Sequence, residues 1–428
     1  MAVSANILVI ADQSNDPILQ SLHEMDFATT EMSVDKISAD PVFSTSYDIV
    51  ILHTPKMSEA SKKLADKLAS FQVPLLIVGE NHRPAEIQSI SSDLSPLELK
   101  RRLYSLHRVN IMAQEYKRRV KTSSLYGLEI EQDARVFETL EDRKVMLLSN
   151  GSAVLGEMLL NLEKKTNVQV CDNSELAIDQ LRDHSFDALI IHGAGQGDTN
   201  FRLCTDIRAD SRLFNLPVIF LLSNPNNREA AYIHGASDIV LYPSEMNQLA
   251  ARLSLHTNQT DYRFQLQQLF RASKPLAVTD GLTGLYSYGF VQTHLTHMIK
   301  DFIATDRHLT FAVIELENLG EINKEFGFNA GDQVLRQVGN ILAFLVRGED
   351  FCGRFSGDKF IIALPNTSIE AAGIALNRIY GVTRNTEYAI HGMDDPIHAV
   401  IKMGCAQLKP DETLKEIEKR AKKEGFHG

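Results

Sequence analysis

The chain has 428 residues, too many for one ordinary domain and enough for roughly three. Apolar residues make up 44% and charged residues 23%, the profile of a globular protein with several cores. A formal net charge of −11 argues against sequence-independent binding to nucleic acid or to an anionic membrane surface.

Four cysteines (Cys171, Cys204, Cys352, Cys405) are scattered, with no CxxC pair and no metal-ligand spacing. They suit small buried residues in a reducing compartment, and the composition calls for no metal or cofactor. No apolar run approaches the ~20 residues that span a bilayer. The chain opens on strand-like ILVIAD with no basic leader ahead of it. A cytoplasmic protein without membrane insertion is expected.

In the first hundred residues short aliphatic runs at 7–10, 48–52 and 74–78 alternate with helical stretches at 17–25 and 58–71. Strands alternating with helices imply a parallel sheet covered on both faces. A long polar helix rich in Arg and Lys is expected over 95–121. The pattern then recurs, with strands expected at 145–148, 187–191, 218–222 and 239–241. FDALIIHG (186–193) echoes YDIVILHT (47–54), and NLPVIFLL (215–222) echoes FQVPLLIV (71–78). The first half of the chain therefore reads as a tandem duplication of one α/β domain.

A second polar helical stretch follows over 255–277, and after it come TDGLTGLYSYGF (279–290), ELENLGEIN (315–323), AGDQVL (330–335) and FLVRGEDFCGRFSGDKF (344–360). Ser356-Gly357-Asp358-Lys359-Phe360 lies between strand-like runs at 351–355 and 361–364, which predicts a hairpin turn carrying an acid. On their own, Asn323 and Asp332 suit helix capping and turn formation as well as ligand contact. Arg347 and Asp350 could be a local surface pair, or a fork and an acceptor set out for a ligand.

Both copies of the duplicated pattern resemble response-regulator receiver domains, which implies a flavodoxin-like doubly wound fold. A receiver holds Mg²⁺ with acids after its first strand and phosphorylates an Asp ending its third, with a Ser or Thr and a Lys after the next two. Here those places hold Ala11 and Asp12, His53, Gly79 and Ser95 in the first copy. In the second they hold Ser149 and Asn150, His192, Leu222 beside Ser223, and Tyr242. His53 and His192 are thus lost phosphoacceptor positions, and structural receivers are expected.

The last third resembles the GGDEF domain of diguanylate cyclases, an α+β nucleotidyl-cyclase-like fold. The entry motif keeps Asp280, Leu282, Thr283, Gly284, Leu285, Tyr286 and Phe290, and SGDKF stands for the signature pentapeptide. The resemblance puts a metal-binding acid at Glu315, guanine contacts at Asn323 and Asp332, the signature acid at Asp358 and a phosphate contact at Lys422. Against it, glutamate replaces aspartate at Glu315, Ser356 replaces a glycine, Lys359 reverses a charge, and Phe426 stands where an arginine is expected. These five retained positions read as a vestigial nucleotide site, not an enzyme. The RxxD run Arg347 to Asp350 sits at the spacing of the family's inhibitory cyclic di-GMP site, and Arg378 matches its second arginine. Arg135, Lys164 and Lys165 are approximate candidates to complete it.

The whole chain is similar to the PleD-type receiver–receiver–GGDEF family, and within it to its PopA-like degenerate members. The expected domains are 1–120 with a C-terminal linker helix, 141–256 and 276–428. The resemblance implies a non-catalytic cyclic di-GMP receptor, homodimeric, acting as a ligand-gated adaptor. It also implies recruitment of a cell-cycle regulator and an accessory adaptor to the ClpXP protease at a cell pole. The alternatives are a weak, feedback-inhibited diguanylate cyclase and a GTP-sensing module without turnover.

Overall fold

The computed structural model describes residues 5–11, 17–25, 27–34, 47–54, 58–70, 73–79, 87–91, 96–128, 140, 143–149, 152–162, 166–193, 197–272 and 278–426. These residues form two compact units, one of 5–110 and 133–261, the other of 111–132 and 262–428 among the described residues.

The first unit contains two parallel five-stranded sheets. The first sheet uses β1 (Asn6–Ala11), β2 (Ala28–Ser33), β3 (Ile49–Thr54), β4 (Leu75–Gly79) and β5 (Gln88–Ile90), in the order 2-1-3-4-5. Its helices are α1 (Pro17–Glu24), α2 (Glu59–Ala69) and the start of α3 (Pro96–Ser124). The second sheet uses β6 (Lys144–Leu148), β7 (Asn167–Cys171), β8 (Ala188–His192), β9 (Val218–Leu222) and β10 (Asp238–Leu241), again ordered 2-1-3-4-5 within the copy. Around it lie α4 (Ser152–Asn161), α5 (Ser174–Asp183), α6 (Gly197–Ala209), α7 (Arg228–Ile233) and the start of α8 (Leu249–Ala272). This strand order is that of flavodoxin-like doubly wound sheets.

Alternation explains the aliphatic runs. Ile7, Val9, Ile49, Ile51, Leu76 and Val78 fill one face of the first sheet, and Leu8, Ile10, Val50, Leu52 and Ile77 the other. A central parallel strand is buried on both sides, so it reads as an unbroken apolar run. The edge strands β2 and β7 carry exposed residues and no such run, and β5 has three residues only, so none of the three stands out in the sequence.

Inside this unit the polar part of α3 is buried rather than solvated. Arg102 reaches Asp238 at 2.9 Å and Glu98 at 3.2 Å, and also donates to the carbonyl of Ile239. His256 Nε2 lies 3.1 Å from Asp238, and Arg252 pairs with Glu245 at 3.2 Å. The two copies are thus joined by paired charges, which tolerate burial only because each has its counterion.

The second unit is built on an antiparallel sheet ordered β12–β13–β11–β16, from β11 (Leu309–Leu316), β12 (Phe351–Ser356), β13 (Lys359–Pro365) and β16 (Ile401–Gln407). A two-strand ribbon, β14 (Glu387–Tyr388) and β15 (Ile397–His398), accompanies it. On one face pack α10 (Leu319–Phe326), α11 (Phe328–Leu345) and α12 (Ile369–Asn385), around Ile314, Val334, Val338, Phe360 and Leu376. On the other pack α9 (Tyr288–Ala304) and α13 (Leu414–Glu424), around Phe290, Phe311, Ile361 and Ile417. The backbone of α13 comes so close to β16 that a Cβ on Gly404 would lie 2.0 Å from the carbonyl oxygen of Ala421. Residues 111–124 of α3 belong to this unit, and among the described residues no helix is long and apolar enough to cross a membrane.

Candidate functional site

Two places in the second unit carry the residues singled out by sequence. The first is the signature hairpin between β12 and β13. Antiparallel register sets Lys359 directly across from Glu315. The lysine ammonium lies 3.6 Å from Glu315 Oε1. Partial burial lowers the pKa of Lys359, but the charges of Glu315 and Asp358 outweigh it and raise the net value. Lys422, on α13, is tied to Glu418 one turn earlier. The hairpin is anchored from outside as well. Arg354 donates to Asp280 at 3.0 Å and to the carbonyl of Gly357, joining the entry motif to the signature turn. Sequence reading missed this role of Arg354, although Asp280 and Gly357 were both in view.

The metal ions that diguanylate cyclases use require carboxylates with room for a cation between them. Here the Lys359 ammonium already stands beside Glu315, a cation where that acid would have to bind a divalent ion, so the pair does not fit one. Among the described residues no three His, Cys, Asp or Glu side chains converge as a metal site. Asn323 on α10 packs against Gly331 at the start of α11, the residue before Asp332, where a Cβ would lie 2.0 Å from the Asn323 amide oxygen. Asp332 is exposed and Asn323 half-buried. Phe426 packs edge-on against Tyr380 on α12, with centroids 6.2 Å apart.

The second place is the loop between α11 and β12. The Arg347 amide donates to Asp350 Oδ2 at 2.9 Å, and the Asp350 amide returns a bond to the Arg347 carbonyl at 3.2 Å. Asp350 is 5% exposed, so its carboxylate shapes the loop instead of standing out from it. Arg378 on α12 donates Nη2 to the carbonyl of Leu345 at 2.8 Å. Arg378 is therefore docked at the C-terminal end of α11, where the helix dipole favours cations, and Arg347 follows that end by two residues. Gly348 lies against α8, since a Cβ there would be 3.7 Å from the Cα of Arg263. Arg135, Lys164 and Lys165 lie outside the described residues.

In the first unit the two histidines end the third strand of each sheet. His53 stands opposite Ala11 on β1 and is half-buried. His192 Nδ1 is 3.1 Å from Ser149 Oγ, the Tyr242 ring packs edge-on against it, and burial lowers its pKa. Asp12, Ser95 and Asn150 lie outside the described residues. All four cysteines are free and buried, and burial pushes Cys204 up to about 11 and Cys352 up to about 12.

With this geometry in place, residues 277–424 match the family model described as "Diguanylate cyclase, GGDEF domain", so the second unit carries a GGDEF domain. Beyond that domain, the chain is 24% identical over 441 aligned residues to "Response regulator PleD" of Caulobacter vibrioides, covering 98% of this chain and 96% of that protein. "Diguanylate cyclase DgcP" of Pseudomonas aeruginosa is 29% identical over 145 residues, 34% of this chain and 21% of that protein. Among solved structures, the GGDEF domain of DgcB from Caulobacter crescentus in complex with c-di-GMP aligns at 22% identity and a TM-score of 0.33. It covers 34% of this chain and 85% of that one.

Proposed function

We propose that this chain is a non-catalytic cyclic di-GMP receptor, with degenerate receivers before a degenerate GGDEF domain. The observation that carries the reading is the ammonium of Lys359 against Glu315, an internal cation where a catalytic metal would need to sit. A serine side chain at 356 in place of a glycine and an apolar Phe426 in place of a phosphate arginine support it. The ligand reading rests on Arg347 and Arg378, brought to one helix end, with Asp350 fixing the loop. Two forked guanidiniums suit the phosphates and guanine edges of a dinucleotide. By resemblance, the output is a homodimeric adaptor that presents a cell-cycle regulator and an accessory adaptor to ClpXP at a cell pole.

Incubation with GTP and Mg²⁺ tests the catalytic half. Chromatography is expected to show no cyclic di-GMP above a blank, for the wild type and for Lys359→Glu alike, since Glu315, Ser356 and Phe426 remain unsuited. Sustained product from the wild type would make the protein a weak cyclase. A GTP-sensing role is the second reading, favoured by Asn323 lying against Gly331, next to Asp332 in the chain. Calorimetric titration with GTP, beside cyclic di-GMP, separates the two.

A further inference from the structure

The loop that carries Arg347 is held from below by a buried charge network that none of the signature motifs contains. Arg119, near the end of α3, is 4% exposed and donates Nη2 to the Asp350 carbonyl at 2.7 Å. Its Nε donates to Glu115 Oε1 at 2.7 Å, one turn earlier on the same helix. Glu115 is fully buried and takes a second cation, Arg118, at 2.6 Å, which itself reaches Asp301 on α9 at 3.0 Å. It also meets His294 Nε2 at 3.1 Å, and His294 Nδ1 lies 3.0 Å from Thr122. The Arg119 guanidinium lies over the rings of Tyr286 and Phe351, 5.8 and 5.9 Å from their centroids. Tyr286 belongs to the entry motif, and Phe351 follows Asp350 directly.

The chain of contacts runs in one direction. Glu115 orients Arg119, Arg119 fixes the Asp350 carbonyl, and the Asp350 carboxylate takes the Arg347 amide. We infer that Arg119 is a positioning residue for the Arg347 loop, through which ligand occupancy at Arg347 is felt by residues 111–124 of α3. A guanidinium does this where an ammonium does so only partly, because its planar fork serves Glu115 and the carbonyl together while its faces lie on the aromatic rings. Burial makes the contact costly to lose, because a desolvated guanidinium has no water to replace a lost partner. The inference rests on the receptor reading for its ligand but not for its loop geometry.

The test uses full-length wild type, Arg119→Lys, and the paired Glu115→Gln/Arg119→Met variant, which removes both charges of the central pair and leaves Arg118 its contact with Asp301. Cyclic di-GMP affinity is expected to fall about 2–30-fold in the paired variant and less in Arg119→Lys. Without ligand, the Arg347 amide should exchange with deuterium faster in the paired variant than in the wild type, by more than amides of the same unit away from this loop. In the wild type, cyclic di-GMP should slow exchange over 111–124. Wild-type affinity in the paired variant, or no ligand effect over 111–124, overturns the inference while leaving the receptor reading intact. If the wild type binds no cyclic di-GMP, the receptor reading falls and the Arg347 amide alone decides the positioning role. Equal exchange in all three proteins would then end it too. Should the paired variant not fold, Arg119→Lys carries the same comparison.

Discussion

At the scale of single residues, the decisive position is Lys359. Its ammonium stands 3.6 Å from Glu315, so on the receptor reading the acid is paired with a lysine where a cyclase would need it for a metal. Arg347 has the opposite status, because the loop around it is built in detail. Truncating a charged, desolvated ligand contact typically costs ~2–5 kcal/mol. Since each ~1.4 kcal/mol is a decade, Arg347→Ala should bind cyclic di-GMP at least tenfold more weakly. Calorimetry giving the two proteins one affinity would place the ligand elsewhere. His53 and His192 bear on the same question in the first unit. An imidazole cannot form an aspartyl phosphate, and His192 is tucked against Ser149 and Tyr242. Neither copy should take label from acetyl phosphate or a histidine kinase, and acid-labile phosphate found at either histidine would contradict this.

At the scale of elements, α3 was legible as a long polar helix, but its polarity is not a solvated face. Glu98, Arg102, Glu115 and Arg119 are buried in pairs. Periodicity cannot distinguish a charge facing water from one facing a counterion brought from residues far along the chain. The aliphatic central strands were legible because burial on both faces leaves only one kind of side chain admissible. The buried pairs give the fold an acid limit. Burial pushes the Glu115 carboxyl up, but Arg119, His294 and Arg118 together hold it well below its usual range. A depressed carboxylate contributes stability above its ordinary value of 4.5, and that contribution is lost as pH falls below it. Burial lowers His294 from its ordinary 6.5, against the pull of Glu115, so the folded state prefers the neutral ring. Stability from that source also erodes on acidification, starting earlier, as pH falls through 6.5. Thermal midpoints should therefore decline in two stages toward acid, and His294→Asn should weaken the first, to which the burial of His192 also contributes. A wild-type midpoint that holds level from neutrality to about pH 5 would refute the first stage.

At the scale of the whole molecule, a ligand that undergoes no chemistry acts only by favouring one arrangement over another. On the receptor reading, the degenerate receivers carry the partner surface and Arg347 gates it. Typical coupling of ~1–3 kcal/mol would change partner affinity about 5–150-fold. A pull-down of the proteolytic partners by wild type and Arg347→Ala, with and without cyclic di-GMP, reads this directly. Equal recovery in all four conditions would describe a constitutive scaffold.

What the sequence determined by itself is the set of local patterns. The aliphatic runs fixed the central strands of both parallel sheets, and their repetition disclosed the duplication. The spacing of Asp280, Glu315, Asp332, Arg347 and Asp358 carried the resemblance of the last third, because motif residues keep their order along the chain. Only the tertiary structure decided who faces whom. Lys359 meets Glu315 because strands distant in sequence lie antiparallel, and Arg119 reaches Asp350 across 231 positions of chain. The edge strands β2 and β7 also belong to this second category, since a half-exposed strand has no composition of its own and exists by pairing with its neighbour. Patterns along a chain report burial, whereas the partner of a buried charge is chosen by the fold.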